Sequence, residues 1–300
     1  MQRIGFTLPQ FGSQAQEGGE VARFAREAER LGADSLWVGD RLLAPVDPSV
    51  GYAGGDAIPE VFRSALDPFA LLSVAAAVTE RPLIGANVLN APWYAPAVLA
   101  RSLTTIDQLS GGRLLPGFGT GWSPEEYEAS GVPMRQRGAR LDECLDALGE
   151  LWSHNPAEYR GTHWTVPATY ADLKPVQQPR PPIYLAGFAP AAIARVARRA
   201  DGWLPVHVPG RGAFDPEAVN TVLGRIRELA AAEGRTSVPL GAVLRISPAT
   251  DTPLEDVVDT IMRAERDTDI RHCFVELMNA ADSVDQALEI ADAVLRRVRG

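Results

Sequence analysis

Apolar residues recur along this chain in two alternating modes. Short continuous runs mark strands buried on both faces. Between them, apolar positions return every three or four residues, as they do on one face of a helix. The first run covers residues 4–8. Val21, Phe24, Ala25, Ala28 and Leu31 then share a helical face, and Gly32 closes it as a C-terminal cap. Further strand-like runs fall at 35–38, 83–89, 113–118, 183–186, 202–206, 240–246 and 273–277. Helical periodicity fills the gaps at 69–78, 97–109, 137–152, 189–199, 219–229 and 284–298. Helix starts are signalled by Asp67-Pro68, by Asp215-Pro216, by the capping box Thr252-Pro253-Leu254-Glu255, and by Ser283 with Gln286.

Eight strand–helix units at this length predict a single (β/α)8 barrel over residues 1–300, with a doubly wound parallel sheet as the alternative. No linker or composition shift divides the chain. Two stretches break the rhythm. Residues 41–66 are rich in glycine, proline and small residues. They follow the second strand, on the face where such barrels keep their active sites, and are expected to cover a ligand. Residues 154–182, with Tyr159, Trp164 and Tyr170, are expected to form a small hairpin around Gly161 that packs on the barrel.

Composition narrows the partners. A net charge of −9 with no dense basic cluster argues against nucleic acid and leaves a small molecule as the expected ligand. The two cysteines, Cys144 and Cys273, have neither metal nor redox spacing and read as small buried hydrophobes in a reducing compartment. No run is long enough for a membrane span, and the start lacks a signal-peptide pattern. The expected location is therefore cytoplasmic, with association into a homodimer left open.

The chain has no Walker A loop, no HExxH and no Gly-x-Ser-x-Gly elbow, and His154, His163, His207 and His272 show no ligand spacing. Gly117-Phe118-Gly119-Thr120-Gly121-Trp122 departs from a dinucleotide fingerprint, since Trp122 stands where the third glycine would. It reads instead as a strand end whose glycines let backbone approach a ligand. Gly187 repeats the device before a helix start, so a phosphate at residues 188–191 is reasonable, and a tight strand–helix turn is the plainer reading. Arg195 and Arg199 point either to an anionic tail or to solvent. His207 lies either at the pocket or in the packing.

Taken together, these segments resemble luciferase-like oxidoreductases. The likeness is carried by Asp34 to Arg41, Ile84 to Asn90, Leu109 to Leu114, Gly117 to Trp122, Gly131-Val132-Pro133, Pro181 to Gly187 and Ala200-Asp201-Gly202-Trp203. Within that family the chain is most similar to the branch that uses the deazaflavin coenzyme F420. The resemblance implies a (β/α)8 barrel with the cofactor ring at the carboxyl ends of the strands. It assigns the ring to Asp40 and to a non-proline cis peptide at Asn87-Val88 with Asn90 nearby, and the ring or ribityl chain to Thr120 and Gly121 with Glu125 close by. It assigns the phosphate to Gly187, Phe188, Pro190 and Ala191.

Two positions depart from the sugar-phosphate dehydrogenases of that branch, which carry His after the aspartate and Glu in the later turn. Here they are Arg41 and Trp122, the two candidates for the chemistry. A guanidinium is no general base at ordinary pH, and an indole offers only an N–H donor. The expectation is therefore a reductase that passes hydride from reduced F420 to an electron-poor C=C or C=N bond. The alternatives are an FMN-dependent monooxygenase with a partner reductase and a non-catalytic cofactor-binding barrel.

Overall fold

The computed structural model describes residues 2–236 and 240–300. Among these residues, eight parallel strands follow one another around a closed ring. Strand one is Arg3–Thr7, strand two Ser35–Val38, and strand three Leu83–Ala86 continuing as Leu89–Asn90. Strand four is Leu114–Leu115 continuing as Gly117–Gly119, and strand five is Tyr184–Leu185. Strand six is Gly202–Trp203 then Val206–His207, strand seven Gly241–Ala242 then Leu244–Ile246, and strand eight His272–Val275. Each pairs with its successor. Strand eight pairs back onto strand one, Arg3 opposite His272 and Phe6 opposite Val275, which closes the barrel and leaves it no open edge strand among the described residues.

The strands are shorter than the apolar runs, for identifiable reasons. Pro116 and Pro205 interrupt strands four and six because proline has no N–H to give the ladder. Strand three breaks at Asn87-Val88, where the peptide is cis, as the resemblance implied. Along the strands, side chains alternate between two cores. Leu36, Val38, Cys273 and Val275 face the helices. Trp37, Leu115, Leu204, Val243 and Phe274 fill the barrel itself, with Trp37 and Phe274 stacked at 4.6 Å. Both cysteines are buried and free.

The helix starts follow the sequence signals at three of four places. Asp67, Asp215 and Ser283 accept from the backbone N–H of Ala70, Ala218 and Gln286 at 2.8, 3.0 and 3.2 Å. The expected box at Thr252 does not form. The helix Leu254–Asp267 starts with Pro253 at its N-cap, and the Thr252 hydroxyl donates instead to the Pro209 carbonyl at 3.1 Å. Gly32 caps its helix at φ 101° as expected.

Both irregular stretches are tied down. Gln10 clamps the two ends of the 41–66 segment: its Nε2 donates to Gly39 O and Leu66 O at 3.0 Å each, and its Oε1 accepts from Gly39 N. The second stretch is the expected hairpin, Ala157–Arg160 antiparallel to Thr165–Thr169. Glu143 fastens its turn by accepting from the backbone N–H of Thr162, His163 and Trp164, while Arg140 covers the Trp164 ring. Among the described residues, no helix is long and apolar enough to cross a membrane.

Candidate active site

A cavity of about 380 Å³ opens at the carboxyl ends of the strands. That volume lies in the range of ordinary small-molecule sites. Strand two delivers Asp40 and Arg41, strand three Asn87, Val88 and Asn90, and strand four Gly119 through Trp122. Strand five adds Ala186, Gly187 and Phe188. Ten of the thirteen residues singled out in the sequence therefore share one wall or another of this cavity. The other three lie outside it. Glu125 accepts from Ser49 N at 2.9 Å, from the Ser49 hydroxyl and from Ser123 Oγ, and these bonds hold its carboxyl down at about 2. Pro190 and Ala191 are exposed at the start of the helix Pro190–Arg199, beyond Phe188.

Asp40 is buried beside the break in strand three. It accepts from Asn90 N at 2.8 Å and from the Tyr94 hydroxyl at 3.0 Å. Burial outweighs those bonds and pushes its carboxyl up to about 7. Gly119 lies where a Cβ would come within 2.6 Å of Val88, so only glycine lets strand four close against that residue.

Arg41 is fixed by three neighbours. Its Nη1 lies 3.2 Å from Glu126 Oε2, with the two side chains 6% and 1% exposed, so the pair is buried. Its guanidinium carbon sits 4.9 Å from the Phe62 ring centre and 4.6 Å from that of Trp122. Glu126 Oε1 accepts from the backbone N–H of Leu42 and Leu43, which ties the 41–66 segment to the short helix Pro124–Ala129. Burial lowers the Arg41 pKa and raises that of Glu126, each against the pull of the other. A guanidinium nonetheless stays charged in proteins, so Arg41 presents a fixed cation.

The far wall was not read from the sequence. Arg245 on strand seven meets Glu276, just past strand eight, through Nη2 at 2.6 Å to each carboxylate oxygen. Ser247 Oγ donates to the same carboxylate. Burial pulls the Arg245 pKa down, but Glu276 and the nearby Tyr52 phenol outweigh it and hold it above its ordinary value. Tyr52 and Phe62 reach the cavity from the 41–66 segment and Phe11 from the end of strand one, with Tyr52 5.0 Å from Phe62 and 5.6 Å from Trp122. The alternation of strand seven was the one available signal for that wall: Leu244 and Ile246 face the helices, which turns Arg245 inward with Val243.

Other candidates are occupied elsewhere. Arg195 pairs with Asp142, and Arg199 with Asp142 and Asp146, on the neighbouring helix Arg137–Ser153, so neither reaches toward the cavity. His207 packs on Phe214 at 5.4 Å. His272 is buried at the opposite end of the barrel, 2.7 Å from Ser35 Oγ, and burial holds it at about 3. Gly187 has φ 149°, and a Cβ there would meet Ala192 Cβ at 2.4 Å. The close approach that demands glycine is thus to the helix itself, which makes the tight strand–helix turn sufficient to explain it.

A closed (β/α)8 barrel with its cavity at the carboxyl ends of the strands defines a barrel of the enzyme-bearing type. The model of the luciferase-like monooxygenase family matches residues 1–297, and the chain belongs to that family. An uncharacterised protein of Mycobacterium tuberculosis is 32% identical over 219 residues, 71% of this chain and 72% of its own. An F420-dependent glucose-6-phosphate dehydrogenase of Amycolatopsis mediterranei is 26% identical over 269 residues, 86% and 72% of the two chains. A solved F420-dependent secondary alcohol dehydrogenase, in complex with an F420-acetone adduct, shares the fold with a TM-score of 0.76 at 18% identity, covering 100% of this chain and 99% of that one.

The cavity fits a flavin-sized group. Asn87 lines it and leaves its Nδ2 buried with no partner among the described residues, a donor that a ring carbonyl would satisfy. Val88, Ala186 and Leu204 supply apolar surface for a ring. Gly187 and Phe188 lead out to a helix N-terminus that no side chain caps, which suits a phosphate.

Proposed function

We propose that the protein is a coenzyme F420-dependent oxidoreductase that reduces an electron-poor C=C or C=N bond of a small molecule. The observation that carries this reading is Arg41. In the place where the sugar-phosphate dehydrogenases of the branch carry a histidine base stands a permanent cation, fixed between two rings and a buried carboxylate. Such a group cannot take a proton from an alcohol, but its Nε–H, left without a partner among the described residues, can donate to the acceptor atom on which charge develops. The similarity to F420-dependent dehydrogenases supports the deazaflavin.

Asn87, Val88 and Asn90 would hold the ring, Thr120 and Gly121 the ring or ribityl chain, and Gly187, Phe188, Pro190 and Ala191 would lie along its phosphate-bearing tail. Asp40 would orient the ring region through the same hydrogen-bonded cluster that fixes Asn90 and Tyr94. When bound, the reduced deazaflavin supplies a hydride equivalent, and it lacks the nitrogen through which reduced flavins activate oxygen. Arg41 and the aromatic side chains around it then exclude water and place the acceptor.

The test is titration of the purified protein with reduced F420 and, separately, with reduced FMN, following binding and oxygen uptake. Binding of F420 without oxygen consumption is expected. Tight FMN binding with oxygen consumption, and no affinity for F420, would move the assignment to the monooxygenase reading that the family's description favours.

A further inference from the structure

The cavity carries charge but offers none. Its two guanidiniums are each matched to a carboxylate: Arg41 to Glu126 at 3.2 Å, and Arg245 to both oxygens of Glu276 at 2.6 Å. The rings that could attract a cation, Phe62 and Trp122, already lie on Arg41. Among the described residues that line the cavity, no Lys, His or further Arg remains to meet an anion. The remaining surface on that side is aromatic, from Phe11, Tyr52 and Phe62. A phosphate or carboxylate entering here would shed water and face carboxylates already engaged, with no free cation to compensate. Aromatic side chains suit a flat, conjugated partner, which can stack against them.

From this we propose that the acceptor subsite takes an uncharged, flat, conjugated molecule and discriminates against anionic ones through the Arg245–Glu276 and Arg41–Glu126 pairs. The inference rests on the reading of this cavity as an oxidoreductase's acceptor site, whichever flavin-type cofactor serves it. The subsite's selectivity then lies in charges cancelled in advance. Removing one carboxylate should convert a neutral site into an anion site.

The experiment compares two probes on one ring framework: uncharged 2-methyl-1,4-naphthoquinone and the anion 1,4-naphthoquinone-2-sulfonate. Binding is measured by calorimetry on protein saturated with oxidised F420, and again with oxidised FMN. The uncharged quinone should bind about tenfold or more tightly than the sulfonate. In Glu276→Gln, which frees Arg245, sulfonate affinity should rise about tenfold while the uncharged quinone changes little. A gain of binding cannot come from misfolding. Equal or tighter sulfonate binding by the wild type, no binding of the uncharged quinone, or no sulfonate gain in Glu276→Gln would each overturn the proposal. If the protein takes FMN and not F420, the function proposed above fails, while the preference between quinones still tests this inference with FMN bound.

Discussion

Two arginines, one at each end of the barrel, show what separates scaffold from site. Arg113 precedes strand four at the amino end. Its guanidinium donates to the carbonyls of Ala76, Thr79 and Pro82 and to Thr79 Oγ1, and its Nε donates to Ser110 O, at 2.7 to 3.0 Å. All its donors are spent on stitching the helix Pro68–Val78 to the helix Pro96–Ser110. Among the described residues, Arg41, at the carboxyl end, makes one hydrogen bond to Leu43 O and one ion pair, rests on two rings, and leaves Nε buried without a partner. The first arginine is complete within the chain. The second keeps unspent capacity where a ligand would lie, and Asn87 Nδ2 beside the same cavity does likewise. Buried polar groups left unsatisfied are expensive, and this chain keeps two of them at one cavity.

The sharpest way to break the comparison is Glu126→Ala. It strands Arg41 as a buried charge and frees the Leu42 and Leu43 N–H groups, so a loss of about 3–5 kcal/mol in urea unfolding is expected, together with weakened cofactor binding. Arg113→Met should cost about 3 kcal/mol through its orphaned carbonyls and leave cofactor affinity unchanged. A matching loss of affinity would erase the distinction between the two ends.

A comparable effect concerns pH. The Asp40 carboxyl is raised to about 7 by burial, against an ordinary value near 3.8. Protonated Asp40 is the form the folded protein favours. Its contribution is full below the unfolded value and is lost as pH climbs toward 7, by on the order of 4 kcal/mol. Asp40→Asn should flatten that part of the stability profile in calorimetry, and cofactor affinity in the wild type should titrate with a midpoint near 7. A wild-type profile that is flat between pH 4 and 7 would place Asp40 in an ordinary, ionised state. The smallest effect belongs to Arg199→Ala. Its partly exposed pairs with Asp142 and Asp146 should be worth about 1 kcal/mol or less, with no change in cofactor binding.

Much of the fold was legible because its signals are local. Asp67, Asp215 and Ser283 cap helices through atoms three residues away, so residue type and spacing suffice. Thr252 failed for the opposite reason: a carbonyl distant in sequence, Pro209 O, took its hydroxyl. The near side of the site was legible through resemblance, since Asp40, Asn87-Val88 and Gly119 to Trp122 stand in ordered motifs. The Arg245–Glu276 pair was not, because neither residue announces its partner 31 positions away. Arg195 and Arg199 looked suited to an anion until the helix beside them supplied Asp142 and Asp146.

By itself the sequence determined the order of strands and helices and the caps and glycine stops that bound them. These follow from side-chain periodicity and backbone preference, which act over a few residues. Only the tertiary structure decided which charges are free. Whether Arg41 and Arg245 are ligands for an anion or are already neutralised depends on carboxylates delivered by other strands and helices. That matching exists only once the ring of eight strands has closed and brought Glu126 and Glu276 to within hydrogen-bonding reach.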